Sequence, residues 1–578
     1  GWVKEQKDSR HIPFDMSLAF HSDAGLTPND SIVGTLAIYT LKCDGSRTNS
    51  NGMDRIANRR FADYVQTQVV NDIREQWNPD WSRRELWDRS YSESRTTDVP
   101  GMLLELLSHQ NFADMKYGLD PAFRFTVSRA VYKGVLKFLS DLYGCQYTVQ
   151  PLPVKGFSAQ FGEDGISARL RWAPVEDPLE PTAVPTGYTV YTMIDGGGWD
   201  EGTDCDGTGC SLPITPGHIY SYKVSAWNDG GESFPSEVLS LGTPSGMQPD
   251  STNTILIVNN FDRISAPAWV DTPVYAGFDG RIDGGVPYLQ DISYIGENYE
   301  FDRSLEWITD DNPGFGASHS DKAGMAVAGN TFDYPYVHGL SAFRAGYAFD
   351  SASSASFCES GSDGQLRPAD GLQYFAIDLI CGKECRVRTG NATVTRGGIL
   401  PADMQKALLR CTEAGCNIII SGSYIGHDVF GSVYPSEAAV VNPGADGQDA
   451  HAGVFAREVL GYELHRAFGS KNGCVNGVDD LSGIRDASFP TEPCERNYCV
   501  ESPDALHTVD RLASGRKCHS TVSMTYGDTG WPAAIRTAFS SYSVAAFGFP
   551  LEVLDSQEAR DGIFKQTLEY FRGQSARE

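Results

Sequence analysis

No apolar run in the 578-residue sequence approaches the ~18–20 residues that cross a bilayer, so nothing in it reads as a transmembrane helix. Basic residues are scarce: 47 Lys and Arg stand against 75 Asp and Glu, a net charge of −28. Nucleic acids and anionic membranes need a basic face that displaces counterions from phosphates, which argues against both as partners. Cysteine pairs with the two-residue gap of a zinc knuckle are also missing. The close pairs are Cys205/Cys210, Cys381/Cys385, Cys411/Cys416 and Cys494/Cys499. Thirteen cysteines without such a motif point to a secreted, periplasmic or cell-surface protein with several disulfide bonds. The odd count leaves one thiol free, or paired with another molecule or with chain outside this sequence. The opening GWVKEQKDSR lacks the apolar core of a signal peptide, so a targeting segment is expected to have been removed already.

What is present suffices to fold. Hydrophobic residues at 40 % and aromatics at 11 % exclude a disordered chain. At ~100–200 residues per domain, the length predicts several domains. Period and punctuation divide it into three. Residues 1–148 alternate buried strands (MSLAFH, GTLAIYT, GMLLELL) with helical stretches such as ANRRFADYVQTQVVNDIREQW, an α/β pattern. Residues 149–246 are strand and turn throughout. Residues 250–578 open on the apolar strand TILIVNN, carry CNIIISGSYIG midway and close on the helix SQEARDGIFKQTLEYF.

Within the first block, MSLAFH delivers His21 at a strand end, and GMLLELL sets Glu105 among four leucines. A carboxylate so flanked pays a large desolvation penalty unless it meets a cation or a metal-bound water. HSDAG followed by GTLAIYT, then SRTTDVPGMLLELLSHQNFAD and DPAFRFTVSRAVYKGVLKFL, resembles the zinc-dependent N-acetylmuramoyl-L-alanine amidases in the correct order over about 20–142. The resemblance implies that His21 is one ligand of a catalytic Zn²⁺ and Glu105 the general acid/base of peptidoglycan amide hydrolysis. Arg95 either steers a substrate carboxylate or pairs with a surface acid, the second being favoured. Asp23 reads as a turn-former rather than a ligand. The family takes its remaining ligands from a Gly-His-Gly strand end and a following Glu, neither of which occurs here, so they are expected upstream of Gly1. His11 lies before its strand, and Gly426-His427-Asp428 is too far downstream to be promoted. A sheet begun without its first strand would also leave an apolar edge, which favours a missing upstream segment, expected as a partner if it is a separate piece.

The second block resembles a fibronectin type III β-sandwich, with Trp172 in an early strand and Tyr220 in YSYKVSAWNDGG placed for a tyrosine corner. The expected role is a spacer. DCDGTG at 204–209 lacks the distal Glu of a calcium loop and reads as a loop pinched by Cys205 and Cys210. The third block resembles, more weakly, doubly wound flavodoxin-like domains of the class I glutamine-amidotransferase type. It has no Cys at a strand-to-helix elbow, and Cys518-His519 is the only adjacent Cys–His pair, read as a loop disulfide. The run 306–339 either lines a glycan cleft through Trp307, Phe332, Tyr334 and Tyr336 or packs on the sheet. The three-block order is similar to that of Gram-negative envelope proteins often labelled xanthan lyase, although no residue suggests a lyase. The expectation is a zinc-dependent N-acetylmuramoyl-L-alanine amidase of the cell envelope; the alternative is a catalytically incomplete glycan- or peptide-binding envelope protein.

Overall fold

The computed structural model describes residues 5–6, 9–25, 27, 31–292, 300–304, 324–363, 374–390, 394–431, 450–509 and 512–575. The chain is a mixed α/β structure with several sheets. Its N-terminal part contains strands β1 (Ser17–Asp23) and β2 (Leu36–Tyr39), helix α1 (Ile56–Gln76), the short strand β3 (Trp87–Asp88), the single turn α2 (Ser92–Arg95), strand β4 (Gly101–Ser108) and helix α3 (Pro121–Tyr143). The sheet order is β1-β4-β2-β3, with β1 parallel and β2 antiparallel to β4. Helix α3 starts on the N-cap Asp120, whose carboxylate accepts from Ala122 N at 2.9 Å, and stops at Gly144 in the left-handed region.

Alternation along β4 decides which face is thick and which is thin. Met102 and Leu104 pack with Phe61, Val65, Val69 and Phe138 of the two long helices, as do Ala37 and Tyr39 of β2. Leu103, Leu36 and Ile38 point the other way, onto a small cluster completed by Ala19 and Trp87. The helices approach closely at Gly134, where a Cβ would lie 2.8 Å from Val65 Cα. Beside that contact, Lys133 Nζ pairs with Asp72 at 2.7 Å with both side chains buried, and burial raises the Asp72 pKa against the pull of Lys133.

The middle part is a β-sandwich of β5 (Lys155–Phe161), β6 (Ser167–Ala173), β7 (Gly187–Ile194), β8 (Thr203–Cys205), β9 (Gly209–Pro213), β10 (Ile219–Asn228) and β11 (Leu239–Gly242). Trp172 and Tyr188 meet edge to face at 5.5 Å over a core with Val190, Tyr222 and Val224. Thr215 N donates to the Tyr220 hydroxyl at 3.0 Å, the corner bond the sequence predicts.

The C-terminal part is built on β12 (Thr254–Asn259), α4 (Tyr334–Arg344), β13 (Ala348–Ser353), β14 (Ala376–Gly382), α5 (Ala402–Glu413), β15 (Asn417–Gly422), β16 (Tyr462–Arg466), β17 (His519–Tyr526), β18 (Pro532–Ala538), β19 (Ser543–Phe547) and α6 (Gln557–Ser575). Parallel strands run in the order β13-β12-β14-β15-β19, with β18 and β17 added antiparallel. Numbered along the chain, the five parallel strands lie 2-1-3-4-5, so the winding reverses between β12 and β14. Their buried, continuous apolar character, as in Ile418–Ile420, is what a sheet covered on both faces requires.

The expectation of a spacer does not describe the sandwich. Strand β13 is the outer parallel strand, and its free edge is taken by β5 (Ala159 opposite Ser351) and β11 (Gly242 opposite Phe349). Side chains secure the join: Phe161 N donates to Asp350 Oδ1 at 2.9 Å, and Ser240 N to Ser351 Oγ at 2.8 Å. The sandwich therefore covers an edge that would otherwise remain open.

Candidate functional site

The parallel register of β1 and β4 sets His21 directly opposite Glu105. Residues opposite one another share a face, so both project from the thin side of the sheet, beside Leu36, which is opposite Glu105 on β2. His21 is exposed and Glu105 half-buried. Glu105 Oε2 is buried and meets no hydrogen-bond partner. Burial, joined by the charge of Asp23, raises the Glu105 carboxyl above its ordinary range against the opposing pull of His21 and Arg84.

Asp23 is held by its own turn and by a cation. Its Oδ1 accepts from Ala24 N at 2.8 Å, and its Oδ2 pairs with Arg84 Nη1 at 2.6 Å. Arg84 and Arg89 both lie over the Trp87 ring, at 5.3 and 5.7 Å from its centroid. Glu93, at the start of α2, faces the same site. Its own backbone N–H and the Ser92 hydroxyl hold its carboxyl below the usual range, with a smaller contribution from His21. Sequence reasoning missed Arg84, Trp87 and Glu93. Their only signal is the mixed aromatic and charged run WSRRELWDRSYSE, which has no diagnostic spacing.

The structure brings His21 and Glu105 together and sets Arg95 apart from them in its bonding. Arg95 sits on α2, donates from Nη1 to Ser90 Oγ at 3.2 Å, and makes no ion pair among the described residues, so the favoured pairing with a surface acid is absent. Zinc catalysis needs three protein ligands around one metal position. Among the described residues no group of three His, Cys, Asp or Glu side chains converges in that way. With Asp23 committed to Arg84, the described residues by themselves do not make up a catalytic zinc site.

The other sequence candidates resolve into structural roles. His427 Nδ1 meets Asp504 Oδ1 at 2.9 Å, while Asp504 Oδ2 accepts from Gly426 N and His427 N at 2.7 and 2.8 Å. That buried carboxylate clamps the turn after β15, and burial's tendency to lower the His427 pKa is overcome by Asp504. No residue of 422–426 has a positive φ, so the turn is not a nucleophile elbow. Tyr334 is buried against Phe261 and Tyr498, at ring separations of 5.7 and 5.8 Å, and Phe332 leans on Tyr288. Tyr334 is packing rather than the wall of a glycan cleft, whereas Phe332 is half-buried against the exposed Tyr288 and Tyr336 is half-buried against the core; Trp307 lies outside the described residues. All thirteen cysteines carry thiols and no disulfide is formed. Cys205 and Cys210 adjoin one another, as do Cys411 and Cys416, whereas Cys494 and Cys499 turn to Asn497 O and Glu501 Oε1. Cys518 donates to Val509 O.

No protein-family model matches the chain, and no curated protein matches it. Solved structures similar to part of it are fibronectin type III domains. The fourth such domain of a human protein is 24 % identical over 18 % of this chain and 90 % of that one, with a TM-score of 0.16. The third fibronectin III domain of another human protein is 21 % identical over 19 % of this chain and 94 % of that one, at a TM-score of 0.15. The FN5 domain of Drosophila Lar is 20 % identical over 17 % of this chain and 99 % of that one, at 0.14. Scores this low carry no argument about function.

Proposed function

We propose that the chain is a binding protein of the bacterial cell envelope whose N-terminal, amidase-like sheet engages peptidoglycan or a related glycopeptide without cleaving it. The observation that carries this reading is the His21–Glu105 pair. Two polar side chains stand in register on an open sheet face, one carboxyl oxygen is buried with nothing to bond, and among the described residues no third metal ligand joins them. A substrate amide would satisfy Glu105 from its N–H or its carbonyl according to the protonation of the acid, while Arg84, held by Asp23, offers charge for a nearby carboxylate. Localisation at the cell surface or in the periplasm, and an amidotransferase-like ancestry for the C-terminal part, belong to the same reading. They rest on the sequence resemblance.

A second reading, the zinc amidohydrolase, is favoured by one feature: the raised Glu105 carboxyl is what a general acid/base requires. Calorimetric titration of muropeptides into the protein in EDTA, with parallel assay for released L-alanyl peptide, separates the two. Binding that persists in chelator without cleavage, and that weakens about tenfold or more in Glu105→Gln, is the expected result. Cleavage that appears with one equivalent of zinc and disappears in Glu105→Gln would replace the binding reading with the amidase.

A further inference from the structure

A second candidate site lies in the C-terminal part, outside the carboxyl ends of its parallel strands. Ligands of doubly wound sheets bind there because loops, rather than strands, line the space. Lys383 and Ser423 follow β14 and β15 directly and Arg263 lies in the loop after β12, and Lys383 Nζ reaches Glu501 at 2.6 Å while Ser423 Oγ donates to Ser502 O. Glu501 forms part of the floor of an open cavity of about 620 Å³ above this layer. The volume falls within the ~300–1,000 Å³ of small-molecule sites.

The cavity has the wrong charge for its chain. In a protein of net charge −28, Arg466 and Lys471 border it with no ion pair to any carboxylate among the described residues. Arg281 adds a third cation, held in both directions by Asp279 at 2.9 Å. Of the acids on the wall, Glu501 is spoken for by Lys383, which leaves the exposed Glu492.

The cationic rim is built rather than incidental. The Arg466 guanidinium lies 5.2 Å over the Trp531 ring, whose edge is braced by His465 at 5.6 Å. Lys471 N donates to Asp528 Oδ2 at 2.7 Å, Ser470 Oγ to Asp528 Oδ1 at 2.9 Å, and Thr529 Oγ1 to Gly469 O at 2.7 Å, which ties the segment after β16 to the β17–β18 turn. Phe468 between them is held at φ +59°, a conformation that costs a bulky residue energy and clusters at functional sites.

We propose that this cavity binds a sugar acid: a small hydroxylated ring bearing one or two carboxylates. Two uncommitted cations suit one or two negative charges. An extended polyanion would instead meet the repulsion of the whole acidic chain. Thr491 supplies a hydroxyl suited to a polyol, and Ser470 and Thr529, whose protons go to Asp528 and Gly469, keep oxygens that can accept from one, where an aliphatic lining could not. The site is separate from His21 and Glu105 and shares no residue with them, so either reading fails without the other.

The experiment is calorimetric titration of the full chain with glucuronic acid, N-acetylmuramic acid, glucose and acetate, repeated for Arg466→Ala and Lys471→Ala after circular dichroism confirms each fold. Binding of at least one sugar acid, with glucose and acetate at least tenfold weaker and each variant at least fivefold weaker, is the expected result. Which acid binds more tightly identifies its source as a uronate or a muramyl glycan. Equal binding of glucose, unchanged affinity in the two variants, or no heat from either acid at millimolar concentration overturns the proposal.

Discussion

Single residues are where this protein spends its unmet polar capacity. Glu105 carries an unbonded buried oxygen between leucine pairs on its strand, a cost with no structural return in the fold. Tyr220 is the opposite case. Its hydroxyl accepts from Thr215 N in the turn before β10, so the residue both fills the sandwich core and satisfies a loop amide. Tyr220→Phe removes the acceptor and leaves that N–H without it. The expected loss is about 1 kcal/mol of unfolding free energy in urea titration, with the sandwich still folded by near-UV circular dichroism. That residue was legible because a tyrosine corner is local, spanning five positions. The pairing of His21 with Glu105 was legible only as two polar residues on separate strands, since their facing depends on a parallel register across more than 80 residues of chain.

Among elements, the telling join is a buried histidine. His338 on α4 places Nδ1 at 2.8 Å from Asp378 Oδ2 on β14 and Nε2 at 3.3 Å from Glu552 Oε2, which lies between β19 and α6. Tyr498 donates to the other Glu552 oxygen at 2.6 Å. Burial alone would lower the histidine pKa; the two carboxylates overcome this and raise it to about 9. A folded pKa above the unfolded value near 6.5 means the native state holds its proton longer. The stabilisation is therefore complete below about pH 6.5 and is lost as pH rises through about 9. Chemical denaturation from pH 6 to 10 should show stability falling across that interval. His338→Gln should be less stable at pH 6 and should lose most of the slope; an unchanged slope would assign it to other groups. None of the three partners is marked in the sequence, where His338 is one polar residue in a helix otherwise suited to packing.

For the whole molecule, the decisive feature is that sandwich and parallel sheet share strand pairing through β13. Removing residues 149–246 strips that edge of its partners and exposes backbone donors and acceptors that recruit other chains. A chain of residues 250–578 alone is expected to elute as oligomer or aggregate, while the full chain elutes as a discrete species on size-exclusion chromatography with light scattering. A monodisperse, cooperatively unfolding fragment would restore the spacer reading. The alternation of strand and helix periods along the chain was readable from the sequence. The attachment of the blocks was not, because an edge strand of one block and the flanking strands of another carry no mark of their pairing.

What the sequence by itself determined is local: the absence of a spanning helix, the acidic surface, the strand and helix rhythm of each block, the tyrosine corner, and His21 and Glu105 as residues out of keeping with their surroundings. These follow from composition, from periods of two and 3.6, and from turn chemistry over a few residues. Tertiary structure alone decided that His21 and Glu105 stand side by side while Arg95 turns to Ser90, that Tyr334 is core rather than cleft, and that Arg466, Lys471 and Trp531 border one cavity. Each of these joins positions far apart in the chain. Such contacts are set by strand order, register and the burial of distant apolar faces, which only the assembled fold specifies.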